Sequence, residues 1–353
     1  MTPKAKDLLL IPTKVGAATF CGGCPNEGRG GYRCAVAHAH SISISDSTMN
    51  VVLLGQNIAH SLSPFLHNAL FRRHRLPFVY DLLPIAASEL PSAVEVMKRG
   101  GYAGANVTSP HKELLFQLVD ARDPIAERVR AVNTVVFRDG AAAGYNTDVQ
   151  GFRWSLESTV DGGIGAFRTA AMLGTGGAAR AAIAALLDSP NLKKLTLYSR
   201  ALPRAVAEAA RWNDPRIIPA QIEHFAPAEL VVNATPVGLA ADAGSTDIFG
   251  GLFGTGGPRG QAGEEGGGDD DRAFRCQLFY DMIYHPATTP LMAIANRAGV
   301  PAMNGLRMFA AQAAESFRLW TGVDASPAEL HNLLQDHLQN DLHSDLQNDL
   351  QTQ

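Results

Sequence analysis

Apolar residues fall along this chain in short blocks separated by amphipathic stretches, and the blocks have the length of strands. Val51-Val52-Leu53-Leu54 ends in Gly55 and reads as a buried strand. A loop and a helix over 64–74 follow, then a strand over 78–82, a helix over 89–99, a strand over 103–107 and a helix over 112–119. The alternation restarts at Thr169-Ala170-Ala171-Met172-Leu173, which leads through a glycine-rich turn into a helix over 177–187. Strands over 195–199, 230–233 and 278–283 and a helix over 205–211 continue it. Helices over 304–322 and 327–338 close the pattern, the first with Leu306, Phe309, Ala313, Phe317 and Trp320 along one face. Strands alternating with helices predict an α/β fold built on parallel or mixed sheets.

The two series predict two α/β domains, over 49–157 and over 158–306, with closing helices beyond. Three segments lack the pattern. Residues 1–48 read as a poorly ordered leader, 249–272 as a mobile Gly- and Asp-rich insertion, and 336–353 as a low-complexity polar tail of Asp-Leu-Gln-Asn repeats. Cys21, Cys24, Cys34 and His38 in the leader have a spacing that zinc would accept. Little apolar sequence surrounds them to fold on a metal, so they are read as incidental and no metal is expected. Asp7, Pro12 and Lys14 interrupt the one apolar run near the start, which argues against a signal peptide.

Charge narrows the partners. The chain of 353 residues carries a formal net charge of −4 and no basic block, so nucleic acid is not expected to bind. No apolar run reaches the roughly 18 residues of a membrane span. A cytoplasmic protein acting on a small molecule, as a monomer or homodimer, is the expectation.

Candidate chemistry begins at the turn Gly174-Thr175-Gly176-Gly177-Ala178. It follows an apolar strand and opens an Ala-rich helix, the setting in which glycines let a backbone approach a pyrophosphate and the helix N-terminus offers free N–H groups. The next strand ends at Ser199-Arg200, with Arg204 four residues on and no carboxylate at the turn. An NAD site would place Asp or Glu there, whereas two guanidiniums suit a 2′-phosphate, so NADP is the expected cofactor in a Rossmann-type domain.

Four further stretches are dense in small polar residues: His60-Ser61-Leu62-Ser63-Pro64, Asn106-Val107-Thr108-Ser109-Pro110-His111-Lys112-Glu113, Ala131-Val132-Asn133-Thr134 and Gly144-Tyr145-Asn146-Thr147-Asp148. Taken singly, each has the composition of a turn or helix cap. In this order, followed by the glycine turn, Asn233-Ala234-Thr235-Pro236-Val237-Gly238, Asp281-Met282-Ile283-Tyr284, and Gly305-Leu306…Met308…Gln312…Trp320-Thr321-Gly322, they resemble the shikimate dehydrogenase family. The resemblance covers residues 50 to 335. It implies a two-domain enzyme, with a substrate-binding catalytic domain over 49–157 completed by 307–335 and a cofactor domain over 158–306, reducing 3-dehydroshikimate to shikimate with NADPH, in the route to chorismate and aromatic amino acids. It further implies Lys112 and Asp148 as the catalytic pair, Ser61, Ser63 and Tyr284 around the substrate carboxylate, and Thr108, Asn133 and Gln312 around its hydroxyls. Gly174, Gly176, Gly177, Ala178, Ser199, Arg200 and Arg204 would hold the cofactor, with Asn233, Ala234, Thr235, Gly305 and Met308 walling its nicotinamide.

Three positions depart from the family pattern. Ser199-Arg200-Ala201 stands where Asn-Arg-Thr is usual, Arg130 where Gly often precedes Ala-Val-Asn-Thr, and Ser316 where a second Gln is common. A quinate dehydrogenase using NAD and a non-catalytic metabolite binder are therefore the rival expectations.

Overall fold

The computed structural model describes residues 48–226, 228–238 and 276–351, so the leader motif and the 249–272 insertion lie outside the described residues. Two six-stranded sheets organise the rest. The first begins with β1 (Met49–Gly55), whose Val51 and Leu54 are fully buried on opposite faces. α1 (Ser63–Arg73) returns the chain to β2 (Phe78–Pro84), and α2 (Leu90–Lys98) to β3 (Tyr102–Val107), both pairing parallel with β1. After α3 (Lys112–Leu118), the short β4 (Ala121–Arg122) and α4 (Pro124–Val129), the sheet turns antiparallel through β5 (Thr134–Arg138) and β6 (Ala141–Tyr145). Its order is β2-β1-β3-β5-β6-β4.

α5 (Asp148–Glu157) leads into the second sheet, which is parallel throughout. Its strands are β7 (Thr169–Leu173), β8 (Lys194–Ser199), β9 (Ile217–Gln221), β10 (Leu230–Asn233), β11 (Leu278–Asp281) and β12 (Ala302–Met303), in the order β12-β11-β10-β7-β8-β9. Numbered within the sheet, that is the 3-2-1-4-5-6 order of a dinucleotide-binding fold, and β7 and β10 flank the point where strand order reverses. α6 (Gly177–Leu187), α7 (Leu202–Trp212) and α8 (Pro290–Arg297) cover its faces. α9 (Leu306–Thr321) then returns to the first sheet, where Phe309, Ala313 and Phe317 join Leu53, Leu66 and Phe71 in one core. α10 (Pro327–Gln351) runs past the expected end at 338, for no Gly or Pro follows Pro327.

α5 packs on both halves. Val149, Phe152 and Leu156 share a core with the Ala-rich face of α6, and Ser155 Oγ lies 2.9 Å from the buried Tyr280 hydroxyl of β11. The alternation expected from sequence is present, while β4, α4, β5, β6, α5, β9, α8 and β12 carry no clear sequence signal. Runs such as Ala141-Ala142-Ala143-Gly144-Tyr145 carry no periodicity.

Arg130 caps α4 with φ 50° and ψ 44°, a left-handed conformation in which a side chain is strained and glycine is not. That explains a preference for Gly here. Arg130 is exposed, so Arg130→Gly is expected to stabilise the fold by about 0.5–1 kcal/mol, seen as a Tm rise of roughly 1–4 °C. A lower Tm would show that the guanidinium contributes more than the strain it imposes.

Candidate active site

The C-terminal ends of β1, β3, β7, β10 and β11 open on one cleft of ≈ 610 Å³. β3 delivers Thr108, whose N–H donates to Leu54 O (2.9 Å), and the following loop is pinned by buried His111, Nε2 2.9 Å from Ile85 O. α3 therefore starts with Lys112 facing the cleft. A cation at a helix N-terminus is unfavourable by the dipole, and here it is compensated by Asp148, the first residue of α5: Nζ lies 2.6 Å from Oδ2.

Hydrogen-bond polarity fixes the groups around this pair. Asn133 Oδ1 accepts the Thr147 N–H (2.8 Å), so its Nδ2 faces and donates to Asp148 Oδ1 (2.9 Å). Both carboxylate oxygens are thus held, one by an ammonium and one by an amide. Gln312 Nε2 donates to Phe309 O (3.1 Å) while its Oε1 faces Thr147 Oγ1 (3.4 Å), which leaves a second N–H for the cleft. Beneath lies a buried network that sequence reasoning missed. Asn106 Nδ2 donates to Thr134 Oγ1 (3.0 Å) and Ser316 Oγ (3.1 Å), and its Oδ1 accepts from the Tyr80 hydroxyl (2.8 Å). Ser316, the departure from the family pattern, is a fully buried member of this network. Wholly buried His67 stacks on Tyr80 at 4.6 Å, and burial lowers its pKa to about 3, so the ring beneath is neutral.

At the other end of the cleft Ser61 and Ser63 sit where α1 begins. Ser61 Oγ donates to Ser63 Oγ (3.1 Å) and accepts the Ser63 N–H (3.2 Å). Tyr284 stacks on Phe309 at 4.7 Å. Burial pushes its phenol up, offset in part by a hydrogen bond with Ser61. Three hydroxyls so converge on one end, with an ammonium and a carboxylate at the other.

The glycine turn forms the facing wall. Gly174 has φ 110°, and a Cβ there would lie 3.0 Å from Ala234 O, so the β7 and β10 loops meet backbone to backbone. No side chain caps α6 at Gly176, and a Cβ on Gly176 would meet open space. Unclaimed N–H groups beside an uncovered turn fit a pyrophosphate. Gly177 touches Lys112: a Cβ added to it would lie 3.4 Å from both Cβ and Cδ of the lysine. The Lys112–Asp148 pair and the glycine turn are therefore neighbours. Ser199 is half-buried at the end of β8, and Arg200 and Arg204 are exposed beyond it, neither ion-paired with a described residue.

The structure puts Lys112, Asp148, Ser61, Ser63, Thr108, Asn133, Tyr284 and Gln312 on the cleft, with Gly176, Gly177, Ala178, Ala234, Thr235, Gly305 and Met308. Asn233 is fully buried beneath it and acts on its own loop, its Oδ1 accepting from the Thr235 N–H (3.1 Å) and hydroxyl (2.6 Å). Glu113 also lines the cleft and reaches across to Arg180 of α6 (3.2 Å), whose guanidinium is gripped by Glu208 of α7 (3.0 Å). Nothing in the spacing of these three residues announces that bridge.

Comparison with known proteins agrees with this geometry. A family model described as the shikimate dehydrogenase substrate binding domain matches residues 53–135, and one described as the shikimate 5′-dehydrogenase C-terminal domain matches 305–335. The shikimate dehydrogenase (NADP(+)) of Moorella thermoacetica is 35% identical over 305 residues, 84% of this chain and 95% of that one. The chain belongs to the shikimate dehydrogenase family. Its relative from Citrifermentans bemidjiense, also named shikimate dehydrogenase (NADP(+)), is 38% identical over 80% of this chain and 92% of its own. Among solved structures, the shikimate 5-dehydrogenase of Thermus thermophilus in complex with NADP(H) and shikimate superposes with a TM-score of 0.63 at 29% identity, covering 81% of this chain and 98% of that one. The three departures from the shikimate dehydrogenase pattern lie at a left-handed cap, inside the buried network and at the rim of the β8 turn, and none touches the Lys112–Asp148 pair.

Proposed function

We propose that this protein is an NADP-dependent shikimate dehydrogenase, interconverting 3-dehydroshikimate and shikimate in the cytoplasm on the route to chorismate and the aromatic amino acids. The observation that carries the reading is the Lys112–Asp148 pair at 2.6 Å, in contact with Gly177 of the nucleotide turn.

Bound NADPH supplies the hydride. Ser61, Ser63 and Tyr284 take the substrate carboxylate with hydroxyl donors, a form of recognition that leaves the ring's far side at Lys112. Asn133 and Gln312 offer amide groups and Thr108 a hydroxyl to the ring hydroxyls. As the ketone carbon is reduced, its oxygen gains negative charge and Lys112 delivers a proton to it; in the oxidation direction the same nitrogen removes the hydroxyl proton. Asp148 holds the lysine and does not leave its position, since Asn133 fixes its second oxygen. The unclaimed N–H groups of α6 receive the pyrophosphate, and Arg200 and Arg204 the 2′-phosphate. A monomer or a homodimer serves this chemistry equally, because every group named comes from one chain.

Turnover of shikimate and of quinate with NADP+ and with NAD+ tests the reading. Shikimate with NADP+ is expected to give the highest kcat/KM, and Arg200→Ala/Arg204→Ala to raise KM for NADP+ by roughly 10- to 100-fold while leaving that for NAD+ within about threefold. Better turnover of quinate with NAD+ would establish the rival enzyme, and ligand binding without redox turnover the non-catalytic one.

A further inference from the structure

Three carboxylates are buried among the described residues: Asp148, Glu208 and Asp281. The first two face Lys112 and Arg180. Asp281, fully buried at the end of β11, has no cation against it among the described residues and is held there by neutral donors. Its Oδ1 accepts from Asn233 Nδ2 (3.0 Å) and the Ile283 N–H (3.1 Å), its Oδ2 from the Thr289 hydroxyl (2.7 Å). A charge buried without a cation costs stability, which hydrogen bonds from neutral donors offset only in part.

Its donors cannot be reversed. Asn233 Oδ1 already accepts the Thr235 N–H, so Nδ2 must point at Asp281. Thr289 Oγ accepts the Met292 N–H (3.2 Å) at the start of α8, so its proton points at the other oxygen. The site presents donors to both oxygens; a carboxylate accepts all of them, an amide has only one oxygen to offer, and a protonated acid carries an O–H for which these three donors provide no acceptor. Two of the three donors carry a piece of the cleft: Asn233 shapes the loop of Ala234 and Thr235, and Ile283 immediately precedes Tyr284, while Thr289 ties the carboxylate to the start of α8.

We propose that Asp281 is a positioning residue, an anion kept buried to clamp the β10 loop that faces the cofactor to the β11 loop that carries Tyr284. This rests on the shikimate dehydrogenase reading of the cleft. Burial raises the carboxyl pKa to about 6, with the Tyr280 phenol as its titratable neighbour, so the clamp is charged at neutral pH and is released in mild acid. The sign for stability follows: the fold binds this proton more tightly than the unfolded chain, so the group's contribution is present at low pH and is lost as pH rises through about 6.

Asp281→Asn separates positioning from scaffolding. At about pH 8 its kcat/KM with shikimate and NADP+ is expected to fall roughly 10- to 100-fold, while its Tm relative to the unsubstituted protein rises between about pH 4.5 and 8. The unsubstituted enzyme should lose kcat/KM below about pH 6 and approach the variant. Thr289→Val, which removes one donor and leaves the carboxyl, should move that acid limb to higher pH, and it carries the test should the Asn variant fail to fold. Unchanged kcat/KM in Asp281→Asn, a Tm difference that does not vary with pH, or an unmoved limb in Thr289→Val would overturn the proposal. Failure of the unsubstituted protein to oxidise shikimate at pH 8 would instead sink the parent reading, and the Tm difference would still report on Asp281.

Discussion

Lys112→Ala is expected to lower kcat for shikimate oxidation by roughly 10²- to 10⁴-fold, the usual worth of a positioned proton-transfer group. No second cation stands in for the missing one, since among the described residues the only ion pair of Asp148 is with Lys112. Affinity for NADP+ should stay within about threefold, because the lysine turns its carbon stem toward Gly177 and its ammonium toward Asp148. Pairing steady-state rates with a titration of the nucleotide checks both halves. Turnover within tenfold of the unsubstituted enzyme would remove Lys112 from the mechanism. Some loss of Tm is also expected, since Asp148 would keep only its Asn133 partner in a nearly dry setting.

Gly305→Ala should be nearly as damaging for a different reason. Gly305 N–H donates to Ile283 O (3.0 Å), and a methyl on Gly305 would be driven into the Met282 carbonyl. Neither partner is the end of a flexible side chain: one is the start of α9, the other the loop carrying Tyr284. Relief requires a backbone shift on the order of an ångström, which in a preorganised site costs about 100-fold in kcat/KM. Overpacking of this kind also destabilises by about 1–3 kcal/mol, so Tm should fall as well. A variant with full activity and unaltered Tm would mean that the two loops stand further apart than described.

Much of this was readable in the sequence where chemistry and pattern coincide. Thr169 to Leu187 declares a strand, a turn and a helix because an apolar run meets glycines and then an Ala-rich stretch. The Ser-x-Ser and Asn-Thr-Asp motifs stand out because polar residues end apolar strands. What stayed hidden depends on partners distant in sequence. Asp281 reads as part of a strand over 278–283, whereas β11 ends at Asp281, whose carboxylate collects donors 48, 2 and 8 residues away. Asn233 was expected on the cofactor wall and is spent inside its loop. Ser316 looked like a lost glutamine, and only the fold shows its hydroxyl against Asn106 and Thr134.

The placement of α9 has a consequence for how the molecule is made. Leu306, Phe309, Ala313, Phe317 and Trp320 fill the core beside β1 and α1, and Trp320 Nε1 donates to Val135 O (2.9 Å) across a sheet whose first strand starts at Met49. A nascent polypeptide therefore leaves the ribosome with its earliest sheet covered on that side by α1 but not by α9, and 160 residues separate Tyr145, the end of β6, from Leu306, where the helix that completes the cover begins. The later sheet, whose covering helices lie within its own stretch of chain, can close first.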